Sequence, residues 1–412
     1  MDRRQFLLGL GAAGVSVTSW AAWRYWPEQG FINPCHAILP TALAGHELVV
    51  AAWQGINSQN VWDSHAHLIG AGDGGSGTWF NPDMDSLLSP AQFVQKRFFL
   101  NAGCAGDAPQ RIDQRYVERM HGLISGMRAG HKLLLLAFEH NYDENRAIDL
   151  EHSAFYTPND YAMKMARLHP NHFEWVASIH PYRTDSVAVL NDAVQKGARA
   201  VKWLPAAMGI DPGSKLCDPF YQALARHNLP LITHAGQERA VHGANTQHYG
   251  NPLKLRRALD HGVRVVVAHC ATMGEDRDLD QGENGPMTES FLLFARLMED
   301  HRYEKTLYAD ISAVTQINRA HYVRALLERK EWHPRLLNGS DYPLPGVMPL
   351  FSVNLFVESG LLDSAAAPVL SEIRTYNPLL FDFVLKRHLR MDGKRFSPQI
   401  FETRAFFTRS ST

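Results

Sequence analysis

Two histidines, one residue apart, close the apolar stretch Val61-Trp62-Asp63-Ser64-His65-Ala66-His67. Side chains two apart on a strand point the same way, so His65 and His67 can present two imidazoles to one metal ion. A chain with 21 histidines holds about one such H-x-H by chance, so the pair gains weight only from donors further along the chain. Lys202 lies inside Ala200-Val201-Lys202-Trp203-Leu204-Pro205, His234 ends Leu231-Ile232-Thr233-His234, His269 ends Val267-Ala268-His269, and Asp341 stands in Asn338-Gly339-Ser340-Asp341-Tyr342-Pro343. Singly, each has an ordinary reading: a strand-end histidine is more often a satisfied polar residue, and a lone aspartate caps a turn. The lysine is less ordinary, because an ammonium is almost never buried without a partner. Together, imidazoles and a carboxylate at the ends of separate strands are the donors of a divalent-metal site with an open position. Such a set suits Zn2+, and Mn2+, Fe2+ and Ni2+ are also compatible.

The elements that must position these residues are visible in the hydrophobic pattern. Continuous apolar runs of strand length fall at 60–67, 132–138, 174–179, 198–204, 229–234, 263–269, 306–311 and 335–338. Between most of them lie amphipathic stretches with helix signals, at 157–168, 186–195, 219–226, 252–260, 289–301 and 318–329. Unbroken apolar strands alternating with helices mean a parallel sheet covered on both faces. No G-x-G-x-x-G follows the first run, which argues against an open nucleotide-binding sheet. Polar residues end at least five different strands, and in a closed barrel those ends share one mouth. The expected fold is therefore α/β, a (β/α)8 TIM-type barrel over residues 60–390, with a long insertion at 70–130 after strand 1. Residues 31–59 read as a linker or N-terminal extension with a short amphipathic helix near 45–55, and 391–412 as a C-terminal tail.

Composition bounds the partners. With 45% hydrophobic residues and a net charge of −1, the chain can build a large core and offers no footprint for nucleic acid. Its partner is expected to be a small-molecule substrate; the oligomeric state, homo-oligomers included, is left open. The four cysteines (Cys35, Cys104, Cys217, Cys270) have no metal-finger spacing, and their pairing is not readable. Arg3-Arg4 precede Phe6-Leu7-Leu8 and a Gly- and Ala-rich apolar stretch to Trp23. This resembles a twin-arginine export signal over residues 1–30, which implies an exported, periplasmic protein. Membrane contact would come only through this segment, were it retained as an anchor.

H-x-H after strand 1, Lys202 after strand 4, His234 after strand 5, His269 after strand 6 and G-S-D-Y-P after strand 8 resemble the amidohydrolase superfamily of metal-dependent barrels. The closest likeness is to its aminocarboxymuconate-semialdehyde decarboxylase-like branch, and it covers about residues 60–390, including Tyr376-Asn377-Pro378. The long insertion departs from compact members. The resemblance implies one of two sites. In a binuclear site, His65 and His67 hold one ion, His234 and His269 hold another, and a carboxylated Lys202 bridges them. In a mononuclear site, His65, His67, His234 and Asp341 hold one ion and His269 serves as acid or base, an arrangement slightly favoured by the branch. Asp341 would move the proton in either case. The implied activity is metal-dependent hydrolysis of an amide, ester or lactone carbonyl. The alternatives are a non-oxidative decarboxylase of an unsaturated or aromatic acid and a non-catalytic exported barrel that binds metal or ligand.

Other residues are weaker candidates. Glu139, His140 and His180 follow strands 2 and 3 and could face the mouth, although loop or cap roles fit them better. Arg319, after strand 7, could pair with a substrate carboxylate. Trp203 should pack outside the barrel, since strand neighbours point opposite ways. The acidic run 275–283 reads as a solvated loop.

Overall fold

The computed structural model describes residues 27–107, 109–143, 145–241 and 243–408. Residues 1–26, where the export signal is read, lie outside the described residues. All eight expected strands form: β1 (Trp62–His67), β2 (Lys132–Leu136), β3 (Phe173–Val176), β4 (Val201–Trp203), β5 (Leu231–His234), β6 (Val265–Ala268), β7 (Leu307–Asp310) and β8 (Leu336–Leu337). They pair in parallel as two arcs, β1-β2-β3 and β4-β5-β6-β7-β8. Parallel bridges from Ala177 to Val201 and from Ala66 to Tyr342 join the arcs at both seams and close the barrel.

The two-residue period sorts every strand between two cores. Trp62, Leu134, Leu136, Val176, Ala200, Ile232, Val266 and Leu337 fill the barrel interior, with Phe407 below them. Their neighbours, among them Leu133, Leu135, Val201, Trp203, Leu231, Val265 and Val267, belong to the larger core shared with the helices. Trp203 is accordingly buried outside the barrel, where its indole N–H donates to Ile179 O at 2.8 Å and its ring stacks on Phe220. Lys202, His234 and Asp310 stand two residues beyond Ala200, Ile232 and Tyr308, so parity carries them inward at the mouth.

Strand β1 departs from strict alternation. Asp63 pairs with Leu133 and Ala66 with Leu135, so Ser64 and His65 together oppose Leu134 alone. This bulge shifts the parity by one residue, and His67 falls opposite the inward-facing Leu136. Without it, Trp62 and the two histidines would face opposite sides.

The insertion carries helices Pro90–Ala102 and Ile112–Ser125. Asp113 accepts the backbone N–H groups of Ala71, Gly72 and Gly74 and so gathers the Gly-rich start of the insertion. Tyr116 donates from its hydroxyl to His67 O at 2.9 Å, tying the insertion to the end of β1. A disulfide joins Cys35 in the N-terminal extension to Cys104 in the insertion. At the opposite end, helix Arg404–Phe407 packs below the interior. Among the described residues no helix is long and apolar enough to cross a membrane.

One local expectation is corrected. The acidic run is a solvated loop only in its second half, where residues 280–283 are exposed: Glu275–Arg277 pairs antiparallel with Met287–Glu289. Asp276 and Asp278, two apart, turn inward together, the first accepting from Ser290 Oγ at 2.8 Å and the second from both terminal nitrogens of Arg296. Alternation along a strand splits a charge run between two faces, which its composition alone conceals.

Candidate metal and acid–base site

The turn after β8 brings Asp341 across to the end of β1. Its N–H donates to His65 O at 2.8 Å, and its φ is +60°. Gly339 permits this approach, because a Cβ there would stand 2.7 Å from His65 Cβ and 2.9 Å from Ser64 Oγ. Asp63 fastens the same turn by accepting from Ser340 N and His65 N. The Asp341 carboxylate then lies 3.2 Å from His67 Nε2, 3.4 Å from His65 Nε2 and 3.7 Å from His269 Nε2. Burial alone would push its carboxyl up, but His269, His65 and His67 outweigh that and hold it well below the usual carboxylate range.

The imidazoles are oriented from behind. His65 Nδ1–H donates to Asp310 Oδ2 at 2.9 Å, and His269 Nδ1–H donates to Ser312 O at 3.0 Å. Each therefore offers the lone pair of Nε2 to the mouth, the form in which imidazole binds a metal. Asp310 also accepts from His269 N at 2.9 Å and from Ser312 N at 3.0 Å, and its contacts with His65 and His269 hold it low despite full burial. Three consecutive non-glycine residues, His269, Cys270 and Ala271, have φ between +49° and +55°. Left-handed conformations cost about 1–2 kcal/mol each, and such strain concentrates at functional sites.

Lys202 is buried, with Nζ donating to His65 Nε2 at 3.0 Å, and burial lowers its pKa. His234 is buried with both ring nitrogens lacking hydrogen-bond partners, and its ring lies edge-on to His269 with centroids 5.5 Å apart. Burial first, then the nearby His269 and Arg319, hold it neutral. Two groups of donors lie within 4.8 Å of one another: His65, His67 and Asp341, and His65, His269 and Asp310. His234 stands outside both groups. Neutral, partnerless imidazole nitrogens beside a carboxylate fit a divalent cation, which satisfies lone pairs that no proton reaches.

Glu139 is buried and accepts from Arg183 Nη1 at 3.0 Å, His140 stacks on Tyr156, and His180 Nε2–H donates to Met208 O at 2.8 Å while its ring stacks on Tyr142. Arg319 is buried near the site; its Nε has no partner, and Glu238 and Asp341 counter the burial that lowers its pKa. Two carboxylates escaped the sequence reading. Asp310 ends its apolar run just as His234 does, so the same signal marks it. Glu238 sits in the loop after β5, where periodicity says nothing.

A family model described as Amidohydrolase matches residues 62–357. Among solved structures, an uncharacterised TIM-barrel protein from Bordetella bronchiseptica is similar at 16% identity and a TM-score of 0.46, over 72% of this chain and 90% of that one. A 5-carboxyvanillate decarboxylase from Novosphingobium aromaticivorans, with bound manganese, is similar at 12% identity and a TM-score of 0.45, over 84% and 96%. A probable 2-pyrone-4,6-dicarboxylic acid hydrolase from Acinetobacter baumannii is similar at 12% and 0.40, over 79% and 99%. No curated protein matches the chain.

Proposed function

This chain belongs to the amidohydrolase family, and we propose that it is a metal-dependent hydrolase acting on an amide, ester or lactone carbonyl of a small molecule. Family membership and the His/Asp cluster support binding of a divalent metal. The observation that carries the hydrolytic reading is the Asp341 carboxylate, buried and kept ionised among His65, His67 and His269. His65, His67 and Asp341 would hold the ion, with His234 or His269 completing its sphere; Zn2+ is the proposed metal. Such an ion supplies polarisation of a carbonyl oxygen and a lowered pKa for water. Asp341 accepts the proton released by the attacking water and delivers it to the leaving group, a role that requires the carboxylate to be ionised at neutral pH. Asp310 and Ser312 keep His65 and His269 in the tautomer whose Nε2 carries a lone pair, which in His65 accepts from Lys202 Nζ. The insertion is tied to the end of β1 through Tyr116.

One observation favours a second reading, decarboxylation of an unsaturated or aromatic acid. Arg319 is a buried guanidinium with a partnerless Nε beside the site, suited to a substrate carboxylate. Export belongs to the proposal as well. The Arg3-Arg4 start supports it, and so does the Cys35–Cys104 disulfide, a bond that persists in oxidising compartments.

The test combines elemental mass spectrometry of the purified full chain with a screen of lactones, esters and amides against hydroxybenzoates. Acid release that disappears in Asp341→Asn, with at least part of the metal retained, is the expected result. Carbon dioxide release would turn the assignment to the second reading. Absence of metal even after reconstitution with Zn2+ or Mn2+ would overturn both.

A further inference from the structure

A buried carboxylate faces His234 from the loop after β5. Glu238, on the loop after β5, has a side chain 7% exposed. Its backbone is clasped by one side chain: Glu238 N donates to Gln247 Oε1 at 3.0 Å, and Glu238 O accepts from Gln247 Nε2 at 2.8 Å. Its Oε1 accepts from the N–H groups of Ala240 and Val241. The loop base is held in turn by Gln237 N donating to Met273 O and Gly236 N to Gly250 O. One oxygen is thus occupied by the loop, and the other, Oε2, is left pointing at His234.

Oε2 lies 3.3 Å from His234 Nε2, yet the two do not meet in hydrogen-bond geometry, and neither nitrogen of His234 has any such partner. An imidazole nitrogen without a hydrogen-bond partner and a carboxylate oxygen, side by side in a buried site, are the donor atoms of a divalent-metal site. Among the described residues no lysine or arginine makes an ion pair with Glu238; Lys202 and Arg319 act on it only through space. With Oε1 held by the Ala240 and Val241 N–H groups, Oε2 is the oxygen that a metal ion would satisfy.

We propose that Glu238 is a metal ligand, supplied by the loop after β5, that binds an ion together with His234. This rests on the metal-dependent function proposed for the chain and adds to it a donor outside the strand-end set. It places an anionic ligand at the His234 side of the site without carbon dioxide addition to Lys202. Because the donor sits on a loop, metal binding also anchors that loop to the end of β5.

The test is titration of the full chain with Co2+ in carbon dioxide-free buffer, monitored by visible absorption and by competition with a chelator. Wild type, Glu238→Gln and Glu238→Ala are compared, and thermal unfolding verifies that each is folded. Glu238→Gln keeps an acceptor for the Ala240 and Val241 N–H groups, so the loop retains its shape. The expected result is a dissociation constant weaker by about 10-fold or more in both variants, with an altered Co2+ spectrum. Equal affinity and an unchanged spectrum would overturn the assignment while the metal-dependent function stands. Wild-type protein that takes up no Co2+, Zn2+ or Mn2+ would overturn both.

Discussion

At the scale of single residues, the site is governed by where each imidazole keeps its proton. Asp310 accepts from His65 Nδ1, and the same carboxylate receives the N–H of His269, so it aligns two candidate ligands at once. Carboxylate partners of this kind fix the tautomer and raise ligand basicity, and their loss typically weakens metal binding about 10–100-fold. Asp310→Asn is expected to weaken Zn2+ binding by that order in chelator competition, while thermal unfolding shows the barrel still formed. Unchanged affinity would remove Asp310 from this role. Asp310 was legible in the sequence by the same strand-end signal as His234. Glu238 was not, because a loop has no period and its carboxylate gains meaning only beside His234.

At the scale of elements, the turn that carries Asp341 is held by a helix distant in sequence. Lys386, on helix Pro378–His388, is fully buried; its Nζ donates to Gly339 O at 2.7 Å and to Asp382 Oδ2 at 2.6 Å. Asn377 caps this helix by accepting from Leu380 N. Removing one partner of a buried ion pair costs about 3–5 kcal/mol, whereas replacing both by apolar groups costs far less. Lys386→Met should therefore lower stability in urea unfolding by about 3–5 kcal/mol, and adding Asp382→Leu should restore most of it. A single variant as stable as wild type would show that the pair does not hold the turn. Strand β1 depends on its neighbour in a similar way. The sequence marks His65 and His67 as sharing a side, yet the bulge at Ser64–His65 decides that the side is the interior.

At the scale of the whole molecule, the Cys35–Cys104 bond spans 69 residues and ties the N-terminal extension to the insertion. Closing a loop of this length stabilises a fold by about 2–4 kcal/mol, mainly by restricting the unfolded chain. The paired change Cys35→Ser, Cys104→Ser should lower the thermal midpoint by several degrees (about 2–4 °C per kcal/mol or less for a chain of this size), with metal content unchanged. A midpoint insensitive to both the substitution and dithiothreitol would show that the bond adds nothing. The sequence by itself determined the alternation of strands and helices and the donors that end the strands, because both arise from short periods and local apolar runs. Only the tertiary structure decided which donors meet. Barrel closure sets Asp341 against His65 across the seam between β8 and β1, leaves His234 apart from that cluster, and brings up Asp310 and Glu238. It also split the acidic run between two faces and paired two of the four cysteines. Side-chain parity is a local property of the chain. The convergence of donors depends on strand register, a bulge and loop docking, which are set by contacts between residues far apart in sequence.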